Sequence, residues 1–250
     1  MRASLQRAKN EGADLAILGE MFPCVYSLRK FGELSGEVPL KGEPVLKTLH
    51  PLAYFLSSVS KELSMWIVGG SIPESDQTSG TTRIYNTATV FDSDGFMVGK
   101  YRKLHMFNVS IPTDKFTGTG GIQFRESDTI TAGDLPPCLV STPWGFDIGV
   151  GICYDLRFPE LADHLRSQSS DRMKLLIYPG AFNMTTGPLH WELLGRARAV
   201  DTQSFCVLAS VARSHDPSEY QVWDSFILFM QCRLSGIRWL YPRWEASCSS

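Results

Sequence analysis

The segment Phe146-Asp-Ile-Gly-Val-Gly-Ile-Cys-Tyr-Asp-Leu-Arg-Phe-Pro-Glu-Leu161 runs an apolar strand pattern directly into Cys153 and then into the start of a helix. A thiol at such a junction stands at the carboxyl end of a strand, beside backbone N–H groups of the following turn. Those amides lower a thiol pKa and can later hold an oxyanion. Gly149 and Gly151 keep one strand face bare for close packing. Their Gly-x-Gly is no dinucleotide fingerprint, because no third glycine follows and the turn is wrong. Taken alone, Cys153 reads better as a buried structural cysteine than as a nucleophile.

A thiol nucleophile needs a base and a group that stabilises negative charge. The five histidines, at 50, 105, 164, 190 and 215, fall in no recognisable cysteine-protease signature, so a Cys–His pair has no support. The alternative base is a carboxylate at another strand end. Glu20 follows the apolar run 15–18, although a solvent-facing charge is common at such a place. Lys103, in Lys100-Tyr-Arg-Lys-Leu-His105, would supply the cation, and by itself it looks like any surface lysine.

These residues need strands to present them. The run 14–18 suits a buried strand, and residues 2–11 before it read as a helix. Residues 43–63 carry a helical period that Pro51 perturbs unless it sits in a first turn. Strands are expected at 65–68, 138–142, 146–153, 174–178 and 205–210, and helices at 157–168 and 189–202. Residues 84–91 and 96–102 flank Asp92-Ser-Asp-Gly95 and make a hairpin. Strands interleaved with helices indicate layered α/β architecture with mixed strand directions; periodicity alone does not give the number of sheets.

Bulk composition excludes several classes. The 250 residues are 43% hydrophobic and 20% charged with a net charge of −2, so no electrostatic footprint for nucleic acid or an anionic membrane is present. The six cysteines form no Cys-x-x-Cys pair and offer no metal site, and most lie in apolar runs. That pattern fits a reducing compartment. No secretory signal and no apolar run of membrane-spanning length is present. A cytoplasmic location is the default reading, with the mitochondrion as the alternative.

Three local contexts occur in a telling order: Ile-Leu-Gly-Glu20-Met-Phe, Lys-Tyr-Arg-Lys103-Leu-His-Met-Phe and Gly-Ile-Cys153-Tyr-Asp-Leu-Arg-Phe-Pro-Glu-Leu. Together they resemble the Glu–Lys–Cys set of the nitrilase superfamily of carbon–nitrogen hydrolases, over roughly residues 5–223. Val68-Gly-Gly-Ser-Ile-Pro73, Tyr85-Asn86-Thr87, residues 178–188 and His190-Trp-Glu-Leu-Leu194 look like the omega-amidase branch. Phe124-Arg-Glu-Ser127 matches the context of the family's second glutamate and gives Glu126, after a loop that is longer than usual at 117–121.

The resemblance implies a four-layer αββα sandwich and hydrolysis of the terminal amide of short dicarboxylic monoamides such as 2-oxoglutaramate and 2-oxosuccinamate. Glu20 would take the Cys153 proton, the thiolate would attack the amide, and a thioester would follow. Lys103 and a backbone N–H after Cys153 would stabilise the oxyanion, with Glu126 orienting Lys103 or the substrate. A cation is needed there because two carboxylates near a thiolate would repel it. The substrate-binding positions are Tyr26, Tyr154, Ala181, Phe182 and Thr186. No cofactor and no metal are implied. Arg157 is near the nucleophile, but a salt bridge to Glu160 or Asp155 is an equal reading.

The chain departs from the family at both ends. It starts inside the first helix, without the strand that usually precedes it, and the match fades after Trp223. We therefore expect a hydrolase domain over 1–225, N-terminally truncated, and a divergent tail over 226–250 in which Phe226 to Met230 could still be a strand. An incomplete or alternatively spliced product would explain both. The family's subunit contacts include the C-terminal region, so a homodimer stays open. The competing readings are another branch (a carbamoylase, an aliphatic amidase or a deaminated-glutathione amidase) and a non-catalytic product that keeps the fold.

Overall fold

The computed structural model describes residues 1–78, 80–112, 122–211 and 226–229. The elements run α1 (Arg2–Asn10), β1 (Leu15–Ile17), α2 (Leu28–Leu34), α3 (Pro51–Leu63), β2 (Trp66–Val68), β3 (Ile72–Asp76), β4 (Arg83–Phe91) and β5 (Met97–Arg102). They continue through β6 (Asn108–Ile111), β7 (Ile122–Arg125), β8 (Cys138–Ser141), β9 (Asp147–Val150), α4 (Pro159–Gln168), β10 (Met173–Gly180), α5 (Gly187–Thr202), β11 (Phe205–Ser210) and β12 (Phe226–Phe229).

Alternation of side chains along short strands decides the layering. In β2, Trp66 and Val68 face one apolar cluster and Ile67 faces another, as the two-residue period of a strand requires. Ile67, Phe91 and Met97 pack under Leu5 of α1 and under Ala53, Leu56, Val59 and Leu63 of α3. On the other face, Val68, Ala88, Val90 and Tyr101 meet Cys138, Val140, Ile148 and Val150 of a second sheet. The far side of that sheet is covered by Leu161, Ala162 and Leu165 of α4 and by Trp191 and Ala199 of α5. The result is helix, sheet, sheet, helix: the expected αββα sandwich.

The first sheet has β1 parallel to β2, and β4 antiparallel to β2, β3 and β5. The second is ordered β12-β11-β10-β9-β8, parallel through β9, β10 and β11 and antiparallel at both margins. β6 and β7 form a separate two-stranded ribbon. Among the described residues β1 pairs only with β2, and its side chains are half-buried.

Several expectations shift by a turn. The helix expected over 43–63 begins at Pro51, because the ring locks φ and lacks the N–H that a first-turn position would leave unused. The helix expected over 157–168 forms as α4 (Pro159–Gln168), and a 3-10 turn over Cys153–Arg157 precedes it. The hairpin at 92–95 forms as read, with Asp92 Oδ1 accepting the N–H groups of Asp94 and Phe96 and with Gly95 at φ 85°. The strand expected at 226–230 pairs antiparallel with β11 as β12. The loop at 117–121, His215 and the tail from 230 onward lie outside the described residues.

Candidate active site

Each chemistry-bearing residue stands just past the end of a strand. Glu20 follows β1, and its neighbours fix it. The Gly19 carbonyl accepts the Ser71 N–H, and the Met21 N–H donates to Ser71 Oγ at 3.0 Å. Lys103 follows β5 and is tied through its own main chain. Its N–H donates to the Asn86 carbonyl at 2.8 Å, and its carbonyl accepts the Gly133 N–H at 2.7 Å. Glu126 opens the 3-10 turn after β7. Cys153 opens the turn after β9 with φ at 46°, in the left-handed region that a side chain enters at a strain cost.

That strained turn is braced by Asp155. Its Oδ2 accepts the Ile152 N–H at 2.9 Å and the Tyr101 hydroxyl at 2.8 Å. Its Oδ1 accepts the His105 N–H at 3.1 Å and lies 2.7 Å from His105 Nδ1. Asp155 is fully buried, so these contacts replace the water it has lost. Gly151 lets the strand pass against β10; a Cβ there would run into the Tyr178 ring.

The four residues come together. Lys103 Nζ lies 3.2 Å from Glu20 Oε1 and 2.9 Å from each oxygen of Glu126. Glu126 also accepts the Phe107 N–H at 2.6 Å and the Tyr26 hydroxyl at 2.9 Å. Asn86 Nδ2 donates to Glu20 Oε1 at 2.8 Å. Glu20, Lys103 and Glu126 are buried to within 1% of full exclusion, and Cys153 retains only 8% exposure. The thiol bears on the Glu20 carboxylate, and the Ala181 N–H donates to its sulfur.

Electrostatics separate the two carboxyls. Burial disfavours both ionised forms, but for Glu126 this is outweighed by the Lys103 cation and by the donors Phe107 N–H and Tyr26 OH, which hold it below the usual carboxylate range. For Glu20 burial wins over Lys103, and the charge of Glu126 adds to it, so Glu20 is raised. Burial alone would discharge Lys103, yet Glu126 and Glu20 keep it firmly protonated. Burial, followed by the Glu20 charge, pushes the Cys153 thiol well up. Two carboxyls pushed apart in this way divide into a permanent anion and a group poised to exchange a proton.

A small pocket opens over Cys153, lined by Tyr26, Phe107, Tyr154, Arg157, Ala181, Phe182, Asn183 and Thr186. All five positions expected to bind substrate lie on it. Phe107, Asn183 and Arg157 were not among them. Phe107 had a legible signal in the Lys-Leu-His-Met-Phe context, and Asn183 lies within residues 178–188, the segment that looks like the omega-amidase branch. The expected salt bridge of Arg157 with Glu160 or Asp155 does not form, because Asp155 is turned inward onto Tyr101 and His105. Arg157 instead lies over the rings of Tyr154 and Phe182, at 5.5 and 5.1 Å, and 3.2 Å from His190 Nδ1. Among the described residues no carboxylate is bonded to it.

Residues 1–235 match the carbon-nitrogen hydrolase family. Omega-amidase NIT2 of Homo sapiens is 42% identical over 219 residues, covering 88% of this chain and 70% of that protein. The chloroplastic omega-amidase of Arabidopsis thaliana is 43% identical over 222 residues, covering 89% of this chain and 54% of that protein. Among solved structures, Saccharomyces cerevisiae Nit3, described as a member of branch 10 of the nitrilase superfamily, superposes with a TM-score of 0.74 at 35% identity, over 91% of this chain and 73% of that one. The C. elegans NitFhit protein gives 0.70 at 27% identity, over 91% of this chain and half of that one.

Proposed function

The chain belongs to the carbon–nitrogen hydrolase family, and on that premise we propose that it is an omega-amidase acting on short dicarboxylic monoamides such as 2-oxoglutaramate and 2-oxosuccinamate. The observation that carries the reading is the Lys103 ammonium held between Glu20 and Glu126, behind a cysteine that floors a small pocket with Arg157 at its wall. Relatives named omega-amidase at 42% and 43% identity support the same branch.

The mechanism proposed runs through a thioester. Cys153 is protonated at rest, since burial and the Glu20 charge both oppose the thiolate. Attack on the amide carbon is therefore coupled to transfer of the thiol proton to Glu20. As the C–S bond forms, the carbonyl electron pair moves to oxygen, where Lys103 and the Tyr154 N–H stabilise it. One such contact contributes roughly 10²–10³ in rate. The oxyanion then collapses, the C–N bond breaks, and the leaving nitrogen takes the proton from Glu20 to depart as ammonia. Water adds to the thioester as Glu20 removes its proton, and returning that proton to sulfur restores the thiol as the acid leaves.

The pocket selects by size and charge. A narrow space walled by Phe107, Tyr154 and Phe182 favours a short chain over a bulky one. The guanidinium of Arg157, the cation on that wall, matches the distal carboxylate of a dicarboxylic monoamide, with the planar donor fork that carboxylates favour.

Ammonia release from 2-oxoglutaramate by purified protein tests the reading, with Cys153→Ala as control. Turnover that is lost in the control is the expected result. Turnover of simple or carbamoyl amides with none of 2-oxoglutaramate would place the chain in another branch of the superfamily. Turnover surviving in Cys153→Ala would overturn the mechanism.

A further inference from the structure

Asn86 sits in β4, fully buried, and holds two members of the site at once. Its backbone carbonyl accepts the Lys103 N–H at 2.8 Å, and its side-chain Nδ2 donates to Glu20 Oε1 at 2.8 Å. Lys103 Nζ reaches the same Oε1, at 3.2 Å. Both donors to Glu20 therefore converge on one carboxylate oxygen. The other, Oε2, is buried and takes no hydrogen bond.

The orientation of the amide follows from chemistry. Turned over, it would set its oxygen against the carboxylate oxygen, acceptor to acceptor. In the orientation present, Asn86 Oδ1 is itself buried without a partner. A half-satisfied amide inside a sheet is a cost that a space-filling apolar residue would avoid. The return on that cost is the donor that Nδ2 supplies to Glu20.

We infer that Asn86 is a positioning residue: with Lys103 it saturates Glu20 Oε1, and so makes Oε2 the oxygen that exchanges a proton with Cys153. The inference rests on the roles of Glu20 and Cys153 proposed above. The ionisable groups facing Glu20 are Lys103 from the end of β5, Glu126 from the turn after β7 and Cys153 from the turn after β9. Each of these shifts the proton affinity of Glu20 through its charge or its own proton. Asn86 is the neutral donor in the set, so it orients the carboxylate without adding a charge that would pin it ionised.

The test uses Asn86→Ala and Asn86→Asp in the full chain with two readouts. One is the pH dependence of Cys153 alkylation by iodoacetamide, which needs no knowledge of the substrate. The other is kcat and KM for ammonia release across pH. Removing a donor to the charged form raises the Glu20 pKa, so in Asn86→Ala the acid limbs of both profiles move to higher pH. Loss of orientation lowers kcat by roughly tenfold or more with KM changed less than about twofold. Asn86→Asp keeps the shape and sets a second carboxyl against Oε1, so its shift is larger. Folded variants whose acid limbs stay where they are in the wild type would overturn the inference, whatever happens to kcat. If Asn86→Ala does not fold, the isosteric Asn86→Asp decides; if neither folds, Asn86 is structural and the inference fails. A shifted alkylation profile in a protein that turns over no dicarboxylic monoamide would uphold Asn86 and sink the omega-amidase reading instead.

Discussion

Lys103 Nζ lies 2.9 Å from both carboxylate oxygens of Glu126, and neither side chain is exposed to solvent. The pair is reached from two separate strand ends, the end of β5 and the turn after β7. A buried ion pair is weak evidence for stability, but removing one partner leaves an uncompensated charge. In this site the uncompensated charges would be two, since Glu20 shares the same ammonium.

Lys103→Met therefore acts on the fold as well as on turnover. It should lower stability by about 3–5 kcal/mol, the cost of breaking a buried pair from one side. The deficit relative to wild type should shrink as the pH falls, because protonating Glu20 and Glu126 removes the stranded charge. Thermal melts of both proteins across pH would check this. Equal melting temperatures at neutral pH would show that the ammonium is not a structural centre.

Glu126→Gln separates the two carboxyls. Lys103, Phe107 N–H and Tyr26 OH overcome the burial penalty and hold Glu126 below the usual carboxylate range. Its contribution to stability is thus present above that range and is lost as pH falls through its lowered folded pKa. The Gln variant should lose less stability than wild type over that acid window. The Glu126 charge also raises Glu20, so its removal should move the acid limb of the rate profile to lower pH. Denaturant melts and a pH–rate profile measure the two effects independently.

Glu20→Gln keeps the shape and removes the base. Turnover should fall by roughly 10²–10⁴. The thiol also loses the group that takes its proton. The limb of the iodoacetamide profile that follows Glu20 ionisation should therefore disappear, leaving alkylation of Cys153 governed by the thiol alone. A variant that keeps the wild-type acid limb would contradict Glu20 as the base beside the sulfur.

Arg157→Ala should discriminate between substrates. If its guanidinium binds the distal carboxylate, KM for 2-oxoglutaramate rises by about 10- to 100-fold, the value of a charge-assisted hydrogen bond. KM for a short neutral amide should stay nearly constant, and kcat should change less than KM. A parallel loss for both substrates would assign Arg157 to packing against Tyr154 and Phe182 instead.

Some of this was legible in the residues themselves. Cys153, Glu20 and Lys103 stand at strand ends within distinctive local contexts, and a strand end is a local property of the chain. The helical periods of α3 and α5 and the Asp-Gly hairpin were legible for the same reason. Four other elements were not. β3 contains Pro73, Glu74 and Asp76 and draws its strand character from pairing with β4. β6 and β7 are four residues each and exist through each other. α2 has seven residues with only Phe31 buried, too few for a period to emerge.

The sequence by itself determined the family, the layered α/β class and the identities of the groups able to do the chemistry. The tertiary structure decided which of those groups touch. It turned Asp155 inward to brace the cysteine turn, left Arg157 without an acid partner among the described residues, and placed Asn86, whose motif signalled only family context, on both Lys103 and Glu20. It also pushed two chemically identical carboxyls apart, Glu126 below the usual carboxylate range and Glu20 above it. The physical reason is range. Strand and helix signals arise from neighbours a few positions apart, whereas contacts between residues 20, 86, 103, 126 and 153 depend on the registers of two sheets and on what burial leaves unscreened.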